Sequence, residues 1–95
     1  MSEIDVRSAV SSAYKYLEFL KNELGTEIDD VRLEEVEQTG DGNYWLITLG
    51  YNVLVKPQFK IAMMGDMNQK YEREYKVFDV DAKTGDVIRM KIRTP

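Results

Sequence analysis

Ninety-five residues with 43% hydrophobic and 11% aromatic content suit one small folded domain, and 17 acidic against 13 basic side chains leave a formal charge of −4. With neither cysteine nor histidine, the chain has no disulfide, no thiolate nucleophile, no imidazole base and no Cys or His metal ligand. No cofactor is therefore expected, a Ser-His-Asp triad is excluded, and the acidic balance argues against nucleic acid as a partner.

The chain opens Met1-Ser2-Glu3-Ile4-Asp5, without the basic start and apolar run of a secretory signal, and holds no run of about 20 apolar residues. A cytoplasmic protein with no membrane partner is the expectation. Val6, Val10, Ala13, Leu17, Leu20 and Leu24 recur at steps of three and four, the stripe of an amphipathic helix. Ser2 or Asp5 caps its start and Gly25 its end, while Phe19 projects from the opposite face. Val31 and Leu33 then alternate with charges until Glu34-Glu35-Val36 shifts the parity, which predicts a first strand with a bulge or an exposed end.

Thr39-Gly40-Asp41-Gly42-Asn43 is a turn, and a second strand starts at Tyr44. In it Trp45, Ile47, Leu49, Tyr51 and Val53 share one face, expected to meet the helix, and Gly50 on the other face suggests a bulge or bend. A third strand from about Tyr71 to Asp81 turns through Ala82-Lys83-Thr84-Gly85-Asp86 into a fourth, Val87 to Arg93. There Ile88, Met90 and Ile92 oppose Arg89, Lys91 and Arg93, whereas the third strand mixes Tyr75 and Val77 of one parity with Phe78 and Val80 of the other. These elements give an α+β fold, 1–95 as a single domain, with one N-terminal helix packed on a four-stranded antiparallel sheet.

The order of elements, with the stretch from Tyr75 to Ile88, resembles PepSY domains and the wider cystatin-like group. The resemblance implies a cystatin-like roll and a small binding or inhibitory module without catalysis. The Gln-x-Val-x-Gly loop of cystatin-type inhibitors has no counterpart: Gln38-Thr39-Gly40-Asp41-Gly42 lacks the valine and the spacing.

Several clusters invite chemistry. Asp79 and Asp81 ahead of Gly85-Asp86 suggest a calcium loop, but Lys83, Thr84 and Met90 fall where such a loop needs an oxygen ligand, a glycine and a glutamate, so a hairpin is the better reading. Glu34, Glu35 and Glu37, with Asp29 and Asp30, supply carboxylates for acid and base work or, more simply, a charged edge strand that resists aggregation. Arg89, Lys91 and Arg93, joined by Arg73 or Lys76, form a cationic stripe with Glu72 and Glu74 as cross-strand partners.

The segment Leu54 to Lys70 is too long for a tight hairpin and too apolar for an ordinary loop. Its Phe59, Ile61, Met63, Met64 and Met67 offer the adaptable apolar surface of a partner-binding or dimerising arm, or continue the second and third strands. Two functions follow. The first is a non-catalytic protein-binding or regulatory module that uses the outer sheet face and residues 54–70 on another protein or a second copy, a homodimer included. The second is a small-ligand binder or carboxylate-dependent enzyme with a pocket between helix and sheet near Trp45 and Tyr51.

Overall fold

The computed structural model describes residues 3–25, 27–55 and 70–93. One helix, α1 (Val6–Leu24), precedes four strands, β1 (Ile28–Gln38), β2 (Tyr44–Val55), β3 (Lys70–Asp81) and β4 (Val87–Arg93), and the strands form one antiparallel sheet in chain order. The fold is α+β with the helix on one face of the sheet. Among the described residues no helix is long and apolar enough to cross a membrane.

Asp5 caps α1 by accepting a hydrogen bond from the Ser8 backbone N–H at 2.8 Å, and Gly25 ends it in the left-handed conformation at φ 64°. The helix buries Ala9, Ala13 and Leu17 fully, with Val10 and Leu20 only half-buried and Val6 and Leu24 exposed. The expected stripe is thus rotated towards Ala9. Small residues at 9 and 13 let the helix backbone approach the sheet closely. Phe19 is exposed, as its parity requires.

On the sheet, Ile47, Leu49 and Tyr51 of β2 and Phe78 and Val80 of β3 complete the core beneath α1. Register pairs Ile47 with Phe78 and Trp45 with Val80, which settles the mixed parity of β3: Phe78 and Val80 face the helix, Tyr75 and Val77 face outwards. Tyr16 of α1 meets Phe78 edge-to-face at 6.0 Å between ring centroids. In β4 the pairing shifts between Asp79↔Arg89 and Val80↔Val87, so Ile88 is the extra residue of a bulge. Val87 takes the inward place expected of Ile88, which is exposed.

The bulge expected in β1 forms, whereas β2 stays regular through Gly50. Pairing with β2 slips between Asp29 and Arg32 and again between Leu33 and Glu35, each time with the additional residue on β1, and Asp30 there adopts φ 52°. Gly50 serves a different need. A Cβ at this position would lie 2.9 Å from Oε1 and 3.0 Å from Cγ of Glu34, and 3.0 Å from Cε1 of Tyr75. Only glycine leaves room for β1 and β3 side chains to converge over the outer face.

Both predicted turns form. Asp41 takes the Thr39 hydroxyl at 2.6 Å and the Asn43 N–H at 2.9 Å, with Gly42 at φ 75°. Asp81 takes the Lys83 and Thr84 N–H groups at 2.8 and 3.0 Å, with Gly85 at φ 80°. The Ile4 N–H donates to the Ala82 carbonyl at 2.8 Å and ties the start of the chain to this second hairpin.

Candidate binding groove

The packing of α1 on the sheet is closed at one end and open at the other. Towards the β3–β4 turn, Ala9 and Ala13 close on Ile47, Phe78 and Val80. Past Phe78, the helix-facing side of β3 changes to Lys76, Glu74 and Glu72, while that of β2 stays apolar through Leu49, Tyr51 and Val53. A groove of about 200 Å³ opens there. Leu17, Leu20 and Leu24 of α1, Ile28 of β1, Tyr51 and Val53 of β2 and Met90 of β4 form its apolar walls; Lys21, Glu74 and Lys76 supply its charge.

Two electrostatic features distinguish it. Among the described residues neither Lys21 nor Lys76 has a carboxylate within 4.0 Å. Lys76 is half-buried, with Leu49 and Ile92 as its cross-strand neighbours. Burial, reinforced by the charge of Glu74, pushes the Tyr51 hydroxyl up to about 12, so it stays a protonated donor at neutral pH.

The opposite face of the sheet carries a different arrangement. Arg73 donates to the Asp30 carbonyl at 2.8 Å and to Glu34 at 3.1 Å, and Arg93 donates to Glu35 at 2.7 Å and to the Thr48 hydroxyl at 3.3 Å. Glu35 and Arg93 lie on the two outermost strands, about 14 Å apart in a flat sheet at the usual spacing. The two long side chains bridge the edges of the sheet across its outer face, over Thr48. A second groove of about 290 Å³, lined by Glu34, Glu35, Thr48, Tyr75 and Arg93, sits on this face. Its carboxylates are already held by arginines, so the acidic cluster acts as half of an ion-pair lattice on an edge strand.

Of the predicted site residues, Tyr51 stands in the wall of the helix–sheet groove, whereas Trp45 lies at the other end of β2 opposite Gln38 and Val80. The two do not share a pocket. The Trp45 indole Nε1 is buried without a hydrogen-bond partner among the described residues. Phe59, Ile61, Met63, Met64 and Met67 lie outside the described residues. Arg73 joins Arg89, Lys91 and Arg93 on the outer face as expected, but Lys76, Glu72 and Glu74 do not, because the even-numbered residues of β3 face the helix side there. The carboxylates that meet the cationic stripe are Glu35 and Asp79, the latter 3.7 Å from Arg89 and 4.0 Å from Lys91. Asp81 is engaged by its turn, and among the described residues no cluster of three potential metal ligands forms.

Sequence reasoning missed Lys21, Glu74 and Lys76 as groove residues. The signal was present in the parity of β3, where charged residues replace Phe78 and Val80 on the face paired with apolar Leu49, Tyr51 and Val53. No protein-family model matches the chain, and neither curated proteins nor solved structures provide a match.

Proposed function

We propose that this chain is a non-catalytic binding module whose ligand seats in the groove between the C-terminal half of α1 and the sheet. The observation that carries the reading is the mismatch of walls: apolar side chains of α1 and β2 face the charged side of β3 across about 200 Å³ of open space. Interiors normally close such gaps to crystal-like density, so an open apolar groove with a few polar groups marks a binding site. A PepSY-like or cystatin-like domain binds without catalysing, and the proposal extends that implication to this chain.

A neutral apolar probe tests it. Titrating hexanol into isotopically labelled protein should shift the methyl resonances of Leu17, Leu20, Val53 and Met90 as one saturable set. Filling the groove with Leu20→Trp should remove those shifts while leaving the remainder of the spectrum folded. Shifts scattered over the surface, or a Leu20→Trp protein that responds like the wild type, would refute the assignment.

The protein-binding reading has its own support on the outer face, where Tyr71, Arg89 and Lys91 are exposed. That face is the natural dock for a partner protein or second copy, with Phe59, Ile61, Met63, Met64 and Met67 as the proposed apolar contacts. Light scattering on the wild type and on Arg89→Glu/Lys91→Glu tests it: a complex dissolved by the charge reversal supports this surface, and a monomer at all concentrations removes self-association.

A further inference from the structure

Resting on the reading of the helix–sheet groove as the binding site, we propose that its ligand is a small amphipathic anion: a short apolar chain ending in a carboxylate, which Lys21 and Lys76 receive. The size follows from the cavity. A groove of about 200 Å³ suits a short chain. The apolar body follows from Leu17, Leu20, Tyr51, Val53 and Met90, which supply most of the groove's lining and leave Lys21 the one charged group on its helix side.

The sign of the head group follows from the lysines. Lys76 stands half-buried on the helix-facing side of a central strand, and among the described residues no carboxylate lies within 4.0 Å of its ammonium, so an incoming anion meets no competing partner there. The methylene stem of Lys76 covers the apolar neighbours and carries the charge to the groove. Lys21 brings a second ammonium to the same groove from α1. Glu74, beside Tyr51, is the third charged group lining it, so the site keeps one net positive charge. An anion entering this groove exchanges water for two charge-assisted hydrogen bonds, which a neutral or cationic analogue of the same length cannot do.

The test compares hexanoate, hexanol and hexylamine, which share one apolar chain and differ in head-group charge, by NMR titration of the full chain at pH 7 and low salt. Hexanoate should bind about 10-fold more tightly than hexanol, with hexylamine weakest. Lys21→Met/Lys76→Met should reduce hexanoate to the level of hexanol or below it, as Glu74 remains, without changing hexanol binding, because methionine keeps the apolar stems. Glu74→Gln should strengthen hexanoate by removing the repelling carboxylate. Equal affinities for hexanoate and hexanol, or hexanoate binding untouched by loss of both lysines, would overturn the anion assignment and leave the groove standing as an apolar site. Failure of all three probes to shift groove resonances would overturn the groove reading together with it.

Discussion

Substituting Gly50 by alanine is a sharp test of how the outer face is assembled. In most strands this exchange is favourable, because alanine restricts the unfolded chain, and where the native backbone accepts a side chain it contributes about 0.4–1 kcal/mol. Here the new methyl would stand 2.9 Å from Oε1 of Glu34, the atom that accepts from Arg73 at 3.1 Å, and 3.0 Å from the Tyr75 ring. Glu34 must swing away and lose a partly exposed ion pair worth about 0.2–1 kcal/mol. The Tyr75 ring must give by a few tenths of an ångström, an overpacking cost near the lower end of ~1–3 kcal/mol. The balance is a net loss of about 1 kcal/mol, equivalent to a fall of roughly 4–8 °C in Tm for a domain of this size. Urea unfolding followed by circular dichroism, with an unchanged m-value, measures it. In a Glu34→Ala background the Glu34 part of the cost disappears, so Gly50→Ala should cost less there. A Gly50→Ala protein as stable as wild type, or an equal cost in both backgrounds, would show that β1 and β3 side chains do not converge over position 50.

Gly85 sits at φ 80°, where an L side chain is strained, so Gly85→Ala should destabilise by about 1 kcal/mol in the same assay. Asp5, Asp41 and Asp81 are all held below the ordinary carboxylate value by hydrogen bonds: Asp5 mainly by the Ser8 N–H, Asp41 by the Thr39 hydroxyl and then the Asn43 N–H, Asp81 by the Thr84 and then the Lys83 N–H. A depressed folded pKa means stability present above the unfolded value near 3.8 and lost as pH falls through the folded value, so the protein should weaken below about pH 4, and Asp5→Asn/Asp41→Asn/Asp81→Asn should show a shallower decline. Tyr51 works in the opposite direction: its raised pKa stabilises fully below about 10 and is lost as pH rises towards about 12, and an alkaline absorbance titration should lose its latest phenolate step in Tyr51→Phe. Asp79 is buried on the outer face with Oδ1 lacking a hydrogen bond among the described residues, and its cationic neighbours are solvent-exposed. Asp79→Leu strands no buried charge and should therefore be neutral or stabilising by up to about 1 kcal/mol in urea unfolding.

The legible parts of the fold are those fixed by short-range rules. Asp5 and Gly25 bound α1, and Asp41-Gly42 and Asp81 with Gly85 make the turns, because each satisfies its backbone within a few residues of itself. The face of β2 is equally plain, since five alternating apolar residues leave one choice of side. What local pattern does not give is the coverage of one element by another. Val6 and Leu24 belong to the apolar stripe, yet they are exposed, because the buried face of α1 is centred on Ala9, Ala13 and Leu17. The bulge at Glu34 was legible in the parity shift of β1, whereas the irregularity expected at Gly50 does not form. Gly50 marks a strand that stays regular under a crowded face, and the insertions fall on β1, whose residues are free to slip because they lie on an edge.

The candidate site is the clearest case of information split between strands. In its own residues the run from Lys70 to Phe78 is a strand of mixed parity, and Lys76 groups with the cationic stripe of β4. Only the pairing of Lys76 with Leu49 and Glu74 with Tyr51 reveals that the charges lie on the helix side, opposite leucines of α1. The core then has a definite end, set between Phe78 and Lys76, beyond which the helix continues for two more turns without apolar partners on β3. A helix that ended near Leu17 would have closed the domain at Phe78. Its continuation through Leu20, Lys21 and Leu24 roofs charged strand residues with apolar side chains, and this roof is what makes a groove from the end of a core.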